Sequence, residues 1–395
     1  MAHDNMLQKP QFWLLLAVVL LALFMVVNPR SAVHAAAAGL HLWAMVIVPA
    51  LLPFFIVAEL LVNMGLVRFL GVLLEPVMQP LFRLPGCSSL VVAMGFTSGF
   101  PVGALLTRRL YDDNLLSANE AERLVSFTNN SSPLFILGAV GMGMFASARL
   151  GWLLAIAHYA ANLLVGILWR FRADSAPMPG RLLGHGRWQQ AKQALQSSID
   201  EEGFSLHLAS AIKNSAANIL AIGGYIMIFS VITTMLSDLG FMGNLARMIS
   251  WIFNRFELSY QVAYGISMGL FEITLGANTI AGAGDADCLH QLLAVSAVLA
   301  FSGLCIITQV MGVMVGTPVR LGFYIRARLV QAGIAMLITG FGYKLWAAVA
   351  APVSHPLLLP SPFYTLHAWR WSLYCLAIML TIMLCLLCIA CLAKD

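Results

Sequence analysis

A single carboxylate, Glu272, stands inside the otherwise uncharged run Tyr260 to Gly276. A charge at the bilayer centre costs about 2.5–3.5 kcal/mol on insertion scales, so such a residue usually has a task. It can bind a cation, carry a proton or hydrogen-bond a solute; a structural ion pair or an interfacial position are the plainer alternatives. A break in another apolar stretch lies 174 residues earlier, at Met94-Gly95-Phe96-Thr97-Ser98-Gly99-Phe100-Pro101-Val102-Gly103. Breaking a membrane helix exposes N–H groups at one half-helix start and carbonyls at the other half-helix end, which suits ions and polar solutes. Ser98 offers a hydroxyl, Gly99 permits close backbone approach, and Pro101 fits the first turn of a new half-helix. A kinked packing helix with small residues at a contact is the competing reading. Asn129-Asn130-Ser131-Ser132-Pro133 is the densest uncharged polar run within an apolar region. Its side chains need partners, either across a helix interface or around a second unwound element, and five such residues before a proline favour the latter. Arg108-Arg109 follow the first break, where a guanidinium can recognise a carboxylate or simply anchor the chain on the cytoplasmic side.

The elements that position these groups must be membrane helices. The chain has 395 residues, 60% of them hydrophobic and only 10% charged, with mean hydropathy +0.86, well above the roughly 45–50% apolar content of soluble domains. At about 20 residues per crossing, this predicts an all-helical polytopic protein of roughly eight to ten membrane segments, some of half length. The net charge of +5 reports topology rather than nucleic-acid binding. The spacing predicts an N-terminal helix over Phe12 to Val27, retained rather than cleaved as a signal, stopped by Asn28-Pro29-Arg30. A long segment from Ala35 to Met64 carries Pro49 and Pro53, and an amphipathic interfacial helix spans Val67 to Phe82. A re-entrant hairpin then surrounds the first break, and Ser117-Ala118-Asn119-Glu120 is a capping box opening the next helix. Residues 173–206 form the only long polar connection, rich in Arg and Lys and so assigned to the cytoplasm.

The second half repeats this order, with an interfacial piece over Met242 to Phe256 and a broken run over Tyr260 to Gly276. Met94-Gly95 and Met268-Gly269, Phe127 and Phe301, and Gly138 and Gly312 are each 174 residues apart. The units expected are an N-terminal helix (1–32), a first repeat (33–172), a polar loop (173–206), a second repeat (207–346) and a C-terminal helix (347–395). By the same offset Ser302 and Gln309 occupy the second-half equivalent of the Asn129 region. Glu59 and Asp238 sit near helix ends and fall outside the site; His34, His41 and His158 read as packing residues. No phosphate-binding loop, zinc-spaced motif or nucleophile–base pair is present. Neither enzyme activity, a cofactor nor a metal is expected.

Several motifs resemble the YlbJ-type sporulation integral membrane proteins, also called SpoVV, which carry two nucleoside-recognition or Gate domains. They are Pro53-Phe54-Phe55, Ser98-Gly99-Phe100-Pro101-Val102-Gly103-Ala104, Glu120-Ala121-Glu122-Arg123-Leu124, Ser126-Phe127-Thr128-Asn129-Asn130 and Pro133-Leu134-Phe135-Ile136, followed by Glu272-Ile273-Thr274 with Gly276 and Phe301-Ser302-Gly303 with Gln309. Thr128 departs from the pattern, where many relatives carry cysteine. The resemblance implies two Gate-like repeats and a permease related to concentrative nucleoside transporters, moving dipicolinic acid across the outer forespore membrane. A nucleoside or other small-solute carrier, or a non-transporting scaffold of sporulation, is the alternative. Solute is expected between the repeats, with Ser98, Gly99, Pro101, Asn129, Asn130 and Ser132 on one side and Thr274, Ser302 and Gln309 on the other. Glu272 is expected to couple to a proton or cation, and Arg108 or Arg109 to contact an anion. The partners are thus solute, coupling ion and lipid bilayer, with a homo-oligomer left open and no nucleic acid.

Overall fold

The computed structural model describes residues 10–172, 188–189 and 204–349, so the polar loop and the expected C-terminal helix lie almost wholly outside the described residues. Among the described residues the chain is helical throughout, without a strand. Helix α1 (Pro10–Val27) ends where Pro29 begins α2 (Pro29–Leu42), as the sequence predicts. A π-helical turn (Trp43–Ile47) then leads into α3 (Val48–Asn63). The wider turn falls just before Pro49, which lacks the N–H that a regular helix would donate backwards.

The first half continues with α4 (Leu66–Phe82), α5 (Ser88–Ser98), α6 (Val102–Asp112), α7 (Ala118–Thr128), a π-helical segment (Leu134–Met144) and α8 (Ala148–Trp169). The second half comprises α9 (Phe204–Asp238), α10 (Phe241–Ile252), α11 (Tyr260–Gly269), α12 (Ile273–Ala281), α13 (Cys288–Phe301), α14 (Gly303–Val313) and α15 (Leu321–Val349). The two halves therefore run in the same element order, and their backbone turns match. Helices α4 and α10 both begin after a left-handed glycine, Gly65 (φ 78°) and Gly240 (φ 72°); a left-handed residue, Arg83 (φ 49°), directly follows α4, and another, Glu257 (φ 51°), follows the 3-10 turn Asn254–Phe256 beyond α10. Each buries one stripe at helical spacing: Leu70, Leu74, Met78 and Phe82 in α4, and Met242, Ala246 and Ile249 in α10. This is the amphipathic pattern expected of an interfacial helix.

Among the described residues four helices are long and apolar enough to cross a bilayer: Ala148–Arg172, Ser205–Asp238, Cys288–Val313 and Leu321–Leu345. The pair Leu15–Val27 and Pro29–Met45, bent by 106°, brings the number to five at most. The eight to ten segments expected include half-length ones and a C-terminal helix that lies almost wholly outside the described residues. Much of the apolar sequence instead folds into short helices such as Phe69–Phe82, Ser88–Ser98 and Leu134–Met144, which at 1.5 Å per residue fall short of the hydrocarbon thickness. The long helices turn apolar side chains outward, with Leu337 75% and Leu220 62% exposed, as a lipid-facing surface requires. Between helices, small residues permit close contact: Ala161, Ala300, Ala332 and Ala335 form one cluster, and Gly39 and Gly223 bring α2 against α9, where Trp43 Nε1 donates to Ile219 O at 2.8 Å. Such packing replaces the hydrophobic driving force that lipid removes.

The halves are tied together by an ion pair outside the long spans. Glu122, buried near the start of α7, accepts from Arg320 Nε at 2.9 Å, from Nη2 at 2.6 Å and from the Arg320 backbone N–H at 3.0 Å, just before α15. Burial acts to raise the Glu122 carboxyl, but the Arg320 hydrogen bonds and charge outweigh it and hold the group below the usual carboxylate range. A carboxyl depressed on folding contributes stability above its unfolded value, near 4.3, and loses it as pH falls through the folded value.

Two outcomes follow for the purified protein. The melting temperature should fall as pH drops from 5 towards 3, whereas Glu122→Gln should melt lower at pH 7 and show a flatter acid limb; parallel pH profiles for the two would contradict the assignment. Gly95→Ala should destabilise by about 1–3 kcal/mol, because its Cβ would lie 2.2 Å from the Thr128 carbonyl oxygen, while Gly284→Ala, with nothing within 4 Å, should melt like the parent.

Candidate functional site

Both predicted breaks are real. In the first half, α5 ends at Ser98 and α6 begins at Val102, with Gly99 at φ 91° between them. Only a residue without Cβ fits there, since a Cβ on Gly99 would also meet Ser132 Cβ at 2.8 Å. Gly95 in α5 and Gly103 in α6 close on the Thr128 carbonyl from either side. The hairpin thus grips the end of α7 where the chain unwinds.

The unwound segment runs from Asn129 to Ser132, and its groups are taken up by neighbouring elements. Asn129 Oδ1 accepts from the backbone N–H of Ala104 at 3.1 Å, capping the first turn of α6 from another part of the chain. The Ser131 backbone N–H donates to His158 Nε2 at 3.3 Å, and Tyr159 donates its hydroxyl to Ser131 O at 2.9 Å, both from α8. Ser132 Oγ accepts from Phe135 N at 3.2 Å and so starts the π-helical segment. Asn130 Nδ2 reaches back to Phe127 O at 3.4 Å. Arg328 of α15, wholly buried, donates from Nη1 to Asn129 O at 2.9 Å and from Nη2 to Ser126 O, with Asn162 Oδ1 3.4 Å away. Even so, Ser98 Oγ, Asn129 Nδ2, Asn130 Oδ1 and Ser131 Oγ are buried with no partner among the described residues. Native interiors leave few such atoms, and here four gather at one break.

The second half solves the same problem differently. Helix α11 ends at Gly269 and α12 begins at Ile273, with Glu272 as its N-cap: Oε1 accepts from Thr274 N at 3.0 Å and Oε2 from Leu275 N at 2.7 Å. The carboxylate is matched to the positive end of its own half-helix, so no cation is needed to hold it. Ser302, left-handed at φ 75°, separates α13 from α14. The first N–H groups of α14 donate across to the break, Leu304 N to Leu270 O at 2.8 Å and Cys305 N to Phe271 O at 3.0 Å. Glu272, Thr274 and Ser302 therefore belong to one locus, in which backbone rather than a side chain caps the partner helix.

Between the halves lies a cavity of about 220 Å³. Pro101 and Leu105 of the first hairpin form one wall, Gln309, Gly312 and Val313 of α14 the second, and Asn218, Ala221, Ile222 and Tyr225 of α9 the third. The polar side chains lining it are uncharged, and Gln309 donates to Cys305 Sγ at 3.3 Å. Of the residues expected to bind solute, Pro101 and Gln309 meet across this space. Ser98, Gly99, Asn129, Asn130 and Ser132 lie together around the first break, and Thr274, Ser302 and Glu272 around the second. Arg108 and Arg109 stand apart, towards the end of α6: Arg108 pairs with Asp112 at 2.7 Å and donates to the carbonyls of Val313, at 3.2 Å, and Val315, closing the C-terminus of α14. Arg109 pairs with Asp113 at 3.3 Å. Sequence reasoning did not single out Asn218 and Tyr225 on α9, or Tyr324 and Arg328 on α15. For Arg328 the signal was available, since it is a charge inside an apolar helix, as Glu272 is within its run.

Comparison with known proteins agrees with this architecture. The "Nucleoside recognition" (Gate) family model matches residues 44–168 and 219–318. "Sporulation integral membrane protein YlbJ" of Bacillus subtilis (strain 168) is 39% identical over 331 residues, covering 81% of this chain and 78% of that protein. An uncharacterized protein of Alkalihalophilus pseudofirmus is 35% identical over 95 residues, 23% of this chain and 20% of its own length. No solved structure matches. With two matched stretches covering both broken-helix halves, the chain belongs to the nucleoside-recognition (Gate) family of membrane proteins.

Proposed function

We propose that the chain is a permease for a small polar or anionic solute, dipicolinate during spore formation being the cargo that best joins the site to the relative's sporulation name. The observation carrying this reading is the cavity between the first break, α14 and α9, lined by Pro101, Asn218, Tyr225 and Gln309. Membrane carriers place solute where discontinuous helices from two repeats face each other. A volume of about 220 Å³ lies below the roughly 300–1,000 Å³ of drug-sized pockets, which suits a one-ring solute better than a nucleoside. Amide and hydroxyl groups on the α9 and α14 walls, from Asn218, Tyr225 and Gln309, can hydrogen-bond ring nitrogen and carboxylate oxygens without fixing a permanent charge. In this reading Glu272 exchanges its cap bonds during the cycle and links solute movement to a proton or cation. The protein catalyses no covalent change, and its setting is the bacterial cell membrane, the outer forespore membrane in a sporulating cell.

Uptake into liposomes checks the proposal. Purified protein should accumulate dipicolinate under a proton or sodium gradient, and Glu272→Gln should retain exchange while losing gradient-driven accumulation. Gly312→Ala should fold yet lower uptake several-fold, because its Cβ would lie 2.2 Å from the Tyr225 hydroxyl and displace that side chain. Absence of flux for dipicolinate, nucleosides and related anions under every gradient would refute the permease reading.

A further inference from the structure

The cavity holds no charged side chain, yet a fully buried cation, Arg328, lies beside Tyr324, which packs against Ala104 of α6 and against Ile307 and Val310 of α14. Arg328 is wholly inaccessible, and among the described residues no carboxylate pairs with it. Its compensation is the carbonyl end of α7, through Ser126 O and Asn129 O, and a helix C-terminus is worth only about half an elementary charge. Taking an arginine out of water without a full counter-charge is costly.

The hydrogen-bond inventory is equally incomplete. Arg328 Nε, the Tyr324 hydroxyl and Asn129 Nδ2 are buried and unpartnered. These groups are neighbours. The Arg328 guanidinium lies 5.2 Å from the Tyr324 ring centre, Arg328 Nη1 bonds Asn129 O, and the Tyr324 hydroxyl points to the Asn129 side chain without a hydrogen bond in good geometry. Arg123 gives the internal comparison. It likewise closes a helix end, donating to Phe82 O and Arg83 O at 2.8 Å each, but its Nε is also taken, by Asn119 Oδ1 at 2.7 Å. Arg123 thus has its Nε taken by a side chain, whereas that of Arg328, which is wholly buried, is not.

We infer that Arg328, Tyr324 and Asn129 form a binding site for one small anion, received by Arg328 Nε, the Tyr324 hydroxyl and Asn129 Nδ2. Three donors and an unmatched positive charge are the complement of a carboxylate group or of a compact inorganic anion such as chloride. Because Asn129 Oδ1 simultaneously caps α6 at Ala104, anion binding bears directly on the half-helix that forms the cavity wall. The inference concerns equilibrium binding and stands whether or not the protein transports anything.

Purified full-length protein in nanodiscs, in a buffer whose only counter-anion is a bulky sulfonate, is titrated with sodium dipicolinate, sodium acetate or sodium chloride at matched ionic strength, reading melting temperature and heat of binding. Wild type should show a saturable rise in melting temperature. A response to the carboxylates identifies a cargo-type anion, and a response to chloride alone identifies an inorganic co-ion; either supports the site. Asn129→Asp keeps the acceptor that caps α6 and supplies the missing negative charge, so it should melt higher than wild type without added anion and lose the response. Tyr324→Phe removes one donor and should bind roughly tenfold more weakly. A wild type indifferent to all three anions, or an Asn129→Asp variant that responds as wild type does, would overturn the inference.

Discussion

Any departure from helical winding inside a bilayer strands backbone N–H and C=O groups where water cannot reach them. In this chain the bond from Ala104 N–H to the Asn129 side chain is the means by which the first break is tolerated. It joins an unwound residue to a helix start: Asn129 leaves the end of α7, and Ala104 lies in the first turn of α6. The Gly95, Gly99 and Gly103 contacts around it follow from the same need, because the backbone of one element must come close enough for the side chain of another to reach. Arg328, His158 and Tyr159 then take up backbone groups of Asn129 and Ser131 in the unwound segment from α15 and α8.

The two halves meet this constraint by different means, and the difference bears on function. In the first half the cap is a neutral amide brought from another element, and unpartnered polar atoms remain around it. In the second the cap is Glu272, a carboxylate from the chain immediately before its own half-helix, while backbone groups of Leu270 and Phe271 secure α14. A locus with spare donors and acceptors is suited to receive a solute or ion. One whose charge is held by two short local bonds is suited to release and regain them together. The cavity lies where α14, anchored at the second break, faces Pro101 of the first.

Much of this was legible in the sequence because the signals are local. Gly-Pro-Gly punctuation marked the first break, the polar run ending at Pro133 marked the unwound segment, and the 174-residue offset between Met94-Gly95 and Met268-Gly269 marked the duplication. The capping box at Ser117 and Glu120 forms as read. What was not legible depends on long-range approach. Nothing local to Asn218 or Tyr225 says that α9 walls a cavity opposite Pro101, and nothing local to Arg108 says that it closes the end of α14 some 200 residues away. Counting apolar residues also left the number of crossings open, since composition does not show whether an apolar run spans or is cut into half-length helices. Arg328 was legible in principle; its partners, at a separation of 199 residues for Asn129, were not.

The claim on which this account rests is that Asn129 holds the broken half-helix α6 in place. Hydrogen–deuterium exchange of the protein in nanodiscs, comparing wild type with Asn129→Ala, tests it at the bond itself. The account predicts faster exchange confined to the first turn of α6, around residues 102–106, and to the unwound segment, with α4 and α10 unchanged. Equal protection of the first turn of α6 in the two proteins would contradict it.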